Sequence, residues 1–172
     1  MKEKFHNLGL TKMKEKIVYA YVVADLLHVG HILALENAKE FAGKEGKLIV
    51  GILTDDAVME KKPKPLTPFN ERMKLIQSLK CVDIVVAQKN YSPIPNVKRI
   101  KPDILMESDS HSIEDLKETI NTLELIGCKV QIMPYFPEQS SSNIKNGLIN
   151  KQNDIEKNNL ENKNLMNQSQ WK

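Results

Sequence analysis

Apolar runs and amphipathic segments alternate along most of the chain. Apolar runs rich in β-branched residues predict buried strands, and apolar residues spaced three or four apart predict helices. The predicted strands cover 17–24, 48–53, 83–87, 103–106 and 129–133. The predicted helices cover 31–41, 68–80, 93–101, 113–126 and 140–150. The Pro-rich segment 55–68 is predicted to be a loop, with Thr67 capping the helix that follows.

This order of elements indicates the fold class. Strands that alternate with helices form right-handed βαβ crossovers, which place the strands parallel in one sheet. Continuous apolar strands are typical of a sheet that is covered on both faces. We therefore predict an α/β fold, with a Rossmann-like, doubly wound and mostly parallel five-stranded sheet and helices on both faces. In such sheets ligands bind beyond the carboxyl ends of the strands, near the switch point.

The length of 172 residues suits one domain with polar extensions. Residues 1–16 are predicted to be a polar N-terminal extension, 17–150 the folded domain and 151–172 a polar tail rich in Asn and Lys. A disordered tail is the simpler interpretation of that composition. The alternative is a loose amphipathic helix that contacts a partner or a second subunit.

Composition narrows the possible partners and location. A net charge of +3 with 5% aromatic residues lacks the dense basic and aromatic patches of nucleic-acid binders. No apolar run approaches the roughly 20 residues of a membrane span, and residues 1–16 do not resemble a signal peptide. Cys81 and Cys128 are far apart and flanked by apolar residues, so buried free thiols are expected. We therefore expect a cytoplasmic protein that does not bind nucleic acid and does not span a membrane.

The segment 24–31, ADLLHVGH, carries the strongest functional signal. It lies where the first strand ends and the first helix begins, so the helix N-terminus can bind a phosphate. His28 and His31 are three residues apart and can lie on one side of that helix. Gly30 lets a ligand approach the backbone closely. A zinc site and a pair of structural histidines are rival interpretations, although a zinc site lacks a third nearby ligand.

The segment ADLLHVGH resembles the HxGH signature of the cytidylyltransferase-like nucleotidyltransferases. The segments GILTDDAV (51–58) and PNVKRIKPD (95–103) are similar to the enzymes of this family that load phosphonates such as 2-aminoethylphosphonate onto CMP. The resemblance implies transfer of CMP from CTP to a small phosphonate, with release of pyrophosphate. It also implies Mg²⁺ bound with the nucleotide and a possible homodimer.

The resemblance also implies which residues form the site. Lys62 aligns with the phosphonate-directed members of the family, and Lys61 with the glycerol-phosphate ones. The expected catalytic residues are His28, His31, Lys62 and Arg72. The expected nucleotide-binding residues are Ala24, Asp25, Gly30, Asp109, Ser140, Ser141 and Ser142. Lys61 and Lys64 are expected to bind the acceptor or a phosphate, and no residue is expected to form a dedicated metal site.

Two segments depart from the family pattern. Glu107 and Ser108 stand where the family reads Gly-Asp, and of the whole Gly-Asp-Asp-Trp motif only Asp109 matches. Glu138 and Gln139 replace a Gly-Ile pair, and Tyr135 stands where a basic residue is expected. Three alternatives therefore stay open: a glycerol-3-phosphate cytidylyltransferase, another nucleotidyltransferase of the same fold, or a nucleotide-binding module without catalysis. The sequence leaves the acceptor, the base and the oligomeric state undecided.

Overall fold

The computed structural model describes residues 15–108, 113–133 and 140–169. Within these ranges the strands are β1 (Ile17–Val22), β2 (Lys47–Leu53), β3 (Ile84–Gln88), β4 (Ile104–Ser108) and β5 (Lys129–Met133). The helices are α1 (Val29–Ala42), α2 (Asp55–Met59), α3 (Phe69–Gln77), α4 (Ile94–Ile100), α5 (Ile113–Glu124) and α6 (Ser141–Ser169).

The five strands form one parallel sheet in the order β3-β2-β1-β4-β5. The chain therefore winds outward from β1 to β3, then crosses back to β4 and continues to β5. The change of direction places a switch point between β1 and β4, where the loops leaving the two strands separate and open a crevice.

Helices cover both faces of the sheet, because successive side chains of each strand point to opposite faces. On one face Val18 and Ala20 of β1 pack with Leu35 of α1 and Ile76 of α3. On the other face Tyr19 packs in a second cluster, which includes Val97 of α4, Leu123 of α5, Leu105 of β4 and Cys128. The predicted doubly wound α/β fold is confirmed.

A buried polar network holds the sheet together on the second face. The Tyr19 hydroxyl donates to Oε1 of Gln88 at 2.6 Å and accepts from Nδ2 of Asn96 at 2.8 Å. Burial raises the pKa of Tyr19 to about 12, although the hydrogen bond from Asn96 acts in the opposite direction. Gly51 makes room for this hydroxyl, since a Cβ there would lie 2.0 Å from the Tyr19 oxygen. The network therefore joins β1, β3 and α4 just below the carboxyl ends of the strands.

The sequence predicted a loop over residues 55–68. The structure differs, because this segment begins with α2. Thr54 caps this short helix by accepting a hydrogen bond from the Ala57 N–H at 3.2 Å, and two acidic residues follow in its first turn. Five residues are too few to show a helical period, so the proline pattern dominated the prediction. The predicted cap at Thr67 is also wrong: Pro68 occupies the N-cap position of α3, without a side-chain hydrogen bond.

The prediction of a disordered tail is wrong for residues 151–169, because α6 runs through residue 150 to Ser169 without a break. Asparagine lowers helix propensity in this stretch, but a long run of helix-compatible residues without glycine or proline lets the helix continue. Leu148, Ile149 and Ile155 are exposed on it. Within the ranges that the structure describes, none of the helices is long and apolar enough to cross a bilayer.

Candidate functional site

A cavity of about 690 Å³ opens at the carboxyl ends of β1 and β4, at the switch point of the sheet. Its walls come from these two strand ends, the first turns of α1 and α6, and the loop after α2. Ligand cavities for small molecules commonly enclose about 300–1,000 Å³. The position and size of the cavity therefore suit a nucleotide and a small second substrate.

His28 and His31 lie side by side on the wall formed by α1. His28 is the N-cap residue of α1, and its carbonyl accepts from the His31 N–H at 3.0 Å. The two ring centroids are 4.0 Å apart, with 43° between the ring planes. In the described part of the chain, the buried Nδ1 atom of each ring has no hydrogen-bond partner. Both histidines line the cavity, so the pair can bind a ligand that enters it.

Both imidazoles are uncharged at neutral pH. Burial, together with the neighbouring His28, lowers the pKa of His31 to about 4. Burial also holds the pKa of His28 below its ordinary value. A neutral imidazole keeps one ring N–H as a donor and one ring nitrogen as an acceptor. The buried Gly30 between them lines the same wall, where the first turn of α1 presents its N–H groups and its dipole.

The turn between β1 and α1 is held by contacts from two distant segments. Ala24 has a left-handed backbone (φ 54°), a conformation that costs a non-glycine residue about 1–3 kcal/mol. Asp25, which is 6% exposed, accepts from the Thr67 N–H at 2.8 Å and forms an ion pair with Lys145. The Thr67 hydroxyl also donates to the Asp25 carbonyl. Ala24 and Asp25 both line the cavity, so the structure brings them together with the histidines.

The first turn of α6 closes another side of the cavity. The Ser140 hydroxyl accepts from the Asn143 N–H at 3.1 Å and caps the helix. The Ser141 hydroxyl donates to the Leu26 carbonyl at 3.1 Å and so joins α6 to the turn after β1. Ser140, Ser141 and Ser142 all line the cavity, as the sequence predicted for residues near a phosphate.

Lys145 is a cavity residue that the sequence analysis missed. Its side chain lines the cavity and contacts Asp25. The one sequence signal that could have found it is its spacing: Lys145 follows Ser141 by four residues and therefore lies on the same side of α6. Its ammonium adds a positive charge to the wall that carries the serine hydroxyls.

The three lysines of the loop after α2 occupy different places. Lys62, which the sequence analysis expected to be catalytic, lines the cavity. The ammonium of Lys61 lies over the ring of Tyr91, 5.1 Å from its centroid, outside the cavity wall. Lys64 is exposed and does not line the cavity either. The structure therefore brings one of the three predicted phosphate-binding lysines to the site.

Arg72 lies beneath the site, not in it, which corrects the predicted catalytic contact. Its side chain is fully buried and makes an ion pair with Asp55. Its guanidinium also donates to three main-chain carbonyls, those of Val23 at 2.6 Å, Leu53 at 2.8 Å and Thr67 at 3.0 Å. The sequence shows that this position carries a positive charge. It does not show that main-chain carbonyls surround the guanidinium. Arg72 therefore holds the ends of β1 and β2 and the loop before α3 in place.

The end of β4 contributes an acidic residue to the cavity. Glu107 is 3% exposed and lines the cavity beside Ser108. The Tyr21 hydroxyl donates to its carboxylate, with the two oxygens at 3.0 and 2.9 Å. The predicted nucleotide-binding residue Asp109 lies outside the described residues, as do Ser110, Tyr135, Glu138 and Gln139.

Known proteins are similar to this chain in both sequence and fold. A family model described as Cytidylyltransferase-like matches residues 21–147. FAD synthase of Methanopyrus kandleri is 32% identical over 117 residues, which cover 68% of this chain and 77% of that enzyme. The bifunctional protein HldE of Citrifermentans bemidjiense is 32% identical over 132 residues. That match covers 76% of this chain, which spans only 26% of the length of HldE.

Two solved structures are similar to this chain in fold. The lipopolysaccharide core biosynthesis protein of Thermoplasma volcanium has a TM-score of 0.60 and 28% identity, covering 70% of this chain and 95% of its own. A protein of unknown function from Archaeoglobus fulgidus shares the fold, with a TM-score of 0.54. The sequence match over most of the chain confirms the resemblance at the level of the family. The chain belongs to the cytidylyltransferase-like family and is a nucleotidyltransferase.

Proposed function

We propose that the protein transfers CMP from CTP to a small phosphonate, such as 2-aminoethylphosphonate, and releases pyrophosphate. The observation that carries nucleotidyl transfer is the His28–His31 pair at the start of α1, which lines a cavity together with Lys62 and Lys145. The choice of CTP and of a phosphonate is supported by the resemblance of segments 24–31, 51–58 and 95–103 to the phosphonate-directed enzymes.

The reaction needs positioning and charge stabilisation more than it needs a base. An ionised phosphonate oxygen attacks the α-phosphorus, a new P–O bond forms, and the bond to the pyrophosphate oxygen breaks in line with it. Negative charge grows on the leaving pyrophosphate and on the oxygens of the α-phosphate. The ring N–H groups of His28 and His31 donate to these oxygens, and the ammonium groups of Lys62 and Lys145 balance their charge.

In this proposal Mg²⁺ arrives bound to the triphosphate. Magnesium prefers phosphate and water oxygens and keeps several waters, so the nucleotide supplies most of its ligands. Asp25 fits a supporting role, because one carboxylate oxygen accepts from the Thr67 N–H and the other is paired with Lys145. The proposal also includes the homodimer that the family resemblance implies.

A second candidate is adenylyl transfer. The similarity to a FAD synthase favours it, since FAD contains an adenylyl group. The His pair, Lys62 and the α6 serines would contact the same phosphates in either reaction. For the same reason, glycerol-3-phosphate is an alternative acceptor. A module that binds a nucleotide without turnover is a further alternative.

The test is a pyrophosphate-release assay with Mg²⁺. CTP and ATP are each paired with 2-aminoethylphosphonate, 2-hydroxyethylphosphonate, glycerol-3-phosphate and FMN. His31→Ala is the inactive control, and Lys74→Ala, an exposed change on α3, is the control for an alanine substitution away from the cavity. Release with CTP and a phosphonate, reduced by about 10²–10³-fold in His31→Ala, is the expected result.

Other outcomes have equally definite meanings. Release with ATP and FMN alone would replace the proposal by the second candidate. Tight CTP binding without release from any pair would favour a different acceptor or a nucleotide-binding module without catalysis. Equal release by the wild type and His31→Ala would remove the His pair from the mechanism.

A further inference from the structure

Two adjacent lysines at the end of α2 have different surroundings. The main-chain N–H groups of Lys61 and Lys62 both donate to the Val58 carbonyl, at 3.1 and 2.9 Å. The end of the helix therefore holds the backbone of both residues. Their side chains diverge, because Lys62 lines the cavity while the ammonium of Lys61 lies 5.1 Å from the centroid of the Tyr91 ring. The two side chains are chemically identical, so their surroundings determine which of them reaches the cavity.

Tyr91 is held in place beside these lysines by contacts from the sheet and from α2. Its carbonyl accepts from Nε2 of Gln88 at 3.2 Å, and Gln88 is a buried residue at the end of β3. Its main-chain N–H donates to Oε2 of Glu60 at 3.1 Å, the residue just before the two lysines. Its side chain packs against a buried cluster that includes Leu53 and Val58. The ring is therefore a fixed surface on which a neighbouring cation can rest.

The contact between Lys61 and the ring affects where Lys62 lies. Lys61, Lys62 and Lys64 place three positive charges within four residues, and like charges at this spacing repel one another. The face of an aromatic ring is negative and attracts a cation. Once the ammonium of Lys61 occupies the ring of Tyr91, repulsion keeps a second ammonium away from the same place. The cavity is then the favoured position for the side chain of Lys62.

We propose that Tyr91 is a positioning residue, which binds Lys61 through its ring and thereby directs Lys62 into the cavity. The inference rests on the proposed function for the contact between Lys62 and a phosphate. It gives the loop after β3 a part in the reaction through a neighbouring loop, without a charge of its own. Tyr91 also lines the cavity, so direct contact of its ring with a substrate is the alternative that the test has to separate.

The test is a double-mutant cycle between Tyr91→Ala and Lys62→Ala, because the effects of residues that act through one another do not multiply. Tyr91→Phe keeps the ring and removes the hydroxyl. Phe41→Ala, the matched control, removes a partly exposed ring of α1 that does not line the cavity. Calorimetry measures the binding of CTP and of ATP with Mg²⁺, and kcat/KM is measured for the substrate pair that releases pyrophosphate. Thermal unfolding checks that every variant is folded.

Tyr91→Ala is expected to lower the same quantity that Lys62→Ala lowers, affinity or kcat/KM, by about two- to fivefold, the factor of a cation–π contact at an exposed site. Tyr91→Phe should stay close to the wild-type value, since a phenylalanine ring also binds a cation. The double variant should equal Lys62→Ala alone, because the ring then has no Lys62 to direct. Phe41→Ala should behave as the wild type.

Three results would overturn the proposal. If Tyr91→Ala lowers the activity or affinity of Lys62→Ala by the same factor as that of the wild type, the ring acts independently of Lys62. Equal losses in Tyr91→Phe and Tyr91→Ala would assign the effect to the hydroxyl and not to the ring. No effect of Tyr91→Ala, or none of Lys62→Ala, on both measurements would remove the coupling itself.

The proposed function can fail separately from this inference. It fails if CTP and a phosphonate release no pyrophosphate. The cycle is then measured on nucleotide binding or on the pair that does react, and its outcome still determines the role of Tyr91. Conversely, turnover of CTP and a phosphonate with multiplying losses in the cycle would leave the enzyme activity in place and remove the positioning role.

Discussion

The carboxylate of Asp25 and the ammonium of Lys145 form an ion pair between the turn after β1 and the second turn of α6. The two residues are 120 positions apart in the chain. Thr67 contacts the same aspartate from the loop before α3. Three segments that are distant in sequence therefore meet at one carboxylate on the wall of the cavity.

Replacing Lys145 by Ala is expected to lower the free energy of unfolding by about 1–3 kcal/mol at neutral pH, because Asp25 loses a charged partner while staying buried. Burial alone would raise the pKa of Asp25, but the hydrogen bonds from Lys145 and Thr67 outweigh it and hold the pKa below its ordinary value. The stabilisation is thus present above about pH 4, the ordinary range of Asp, and is lost as the pH falls through the folded-state pKa.

Urea unfolding of the wild type and Lys145→Ala across the acidic range measures this difference. Lys145→Arg keeps the charge and is the matched control. A difference between wild type and Lys145→Ala that stays constant down to the lowest pH would contradict the assigned ion pair.

The neutral state of His31 makes folding sensitive to mild acid. Its pKa is about 4 in the folded protein, so below about pH 6.5 the unfolded chain takes up a proton that the folded chain does not. The free energy of unfolding is therefore expected to fall as the pH drops from about 6.5 to about 4. His31→Asn, which does not titrate there, should show a smaller fall.

NMR titration of the imidazole signals gives an independent measurement. The His31 signals are expected to stay in the neutral form through the physiological range and to shift only in mild acid. An ordinary midpoint near pH 6.5 would show that the site does not hold the ring neutral.

Lys62 and Lys61 are neighbours with the same charge but different surroundings, and this makes them a matched pair. Lys62→Ala is expected to lower kcat/KM for pyrophosphate release by about 10- to 100-fold, through loss of a charge-assisted contact to phosphate. Lys61→Ala should have a smaller effect, because its ammonium lies over Tyr91. Steady-state kinetics measures kcat/KM for both variants, with Lys74→Ala as the reference for the loss of one positive charge. A larger loss of kcat/KM in Lys61→Ala than in Lys62→Ala would mean that the loop rearranges when substrate binds.

Arg72 provides the contrast between a positioning residue and a catalytic one. Arg72→Lys removes the planar group that binds the carbonyls of Val23, Leu53 and Thr67, and should destabilise the protein by about 3 kcal/mol. Turnover is expected to fall together with thermal stability, and nucleotide binding is expected to recover in stabilising osmolyte. A large loss of kcat at unchanged stability would instead indicate that Arg72 is a catalytic residue.

Local patterns along the chain were sufficient to predict the sheet. The strand predicted at residues 129–133 has the observed bounds of β5, and the first strand and first helix place the His pair correctly. The first strand is strongly apolar and the first helix is 14 residues long, so their patterns are clear in the sequence. The five-residue α2 depends on one side-chain cap at Thr54, and a pattern search over longer windows misses it.

The positions of the remaining site residues depend on tertiary contacts, which the local sequence does not show. Nothing in the local sequence distinguishes a buried Arg72 from a phosphate-binding one, because the difference is which carbonyls surround it. Lys145 enters the site only because α6 packs its first turn against Leu26. Glu107 was visible in the sequence as a departure from the family pattern, and the structure adds that its carboxylate is buried beside Tyr21.

The left-handed backbone of Ala24 has a consequence for how substrates bind. The chain adopts this unfavourable conformation in the free protein, with Arg72 on the carbonyl before it and Thr67 on the carbonyl after it. The conformational cost of shaping the turn is thus met when the protein folds, not when the nucleotide arrives. The cavity wall formed by this turn is in this sense preorganised, and binding energy from the substrates is free to act on the reacting atoms.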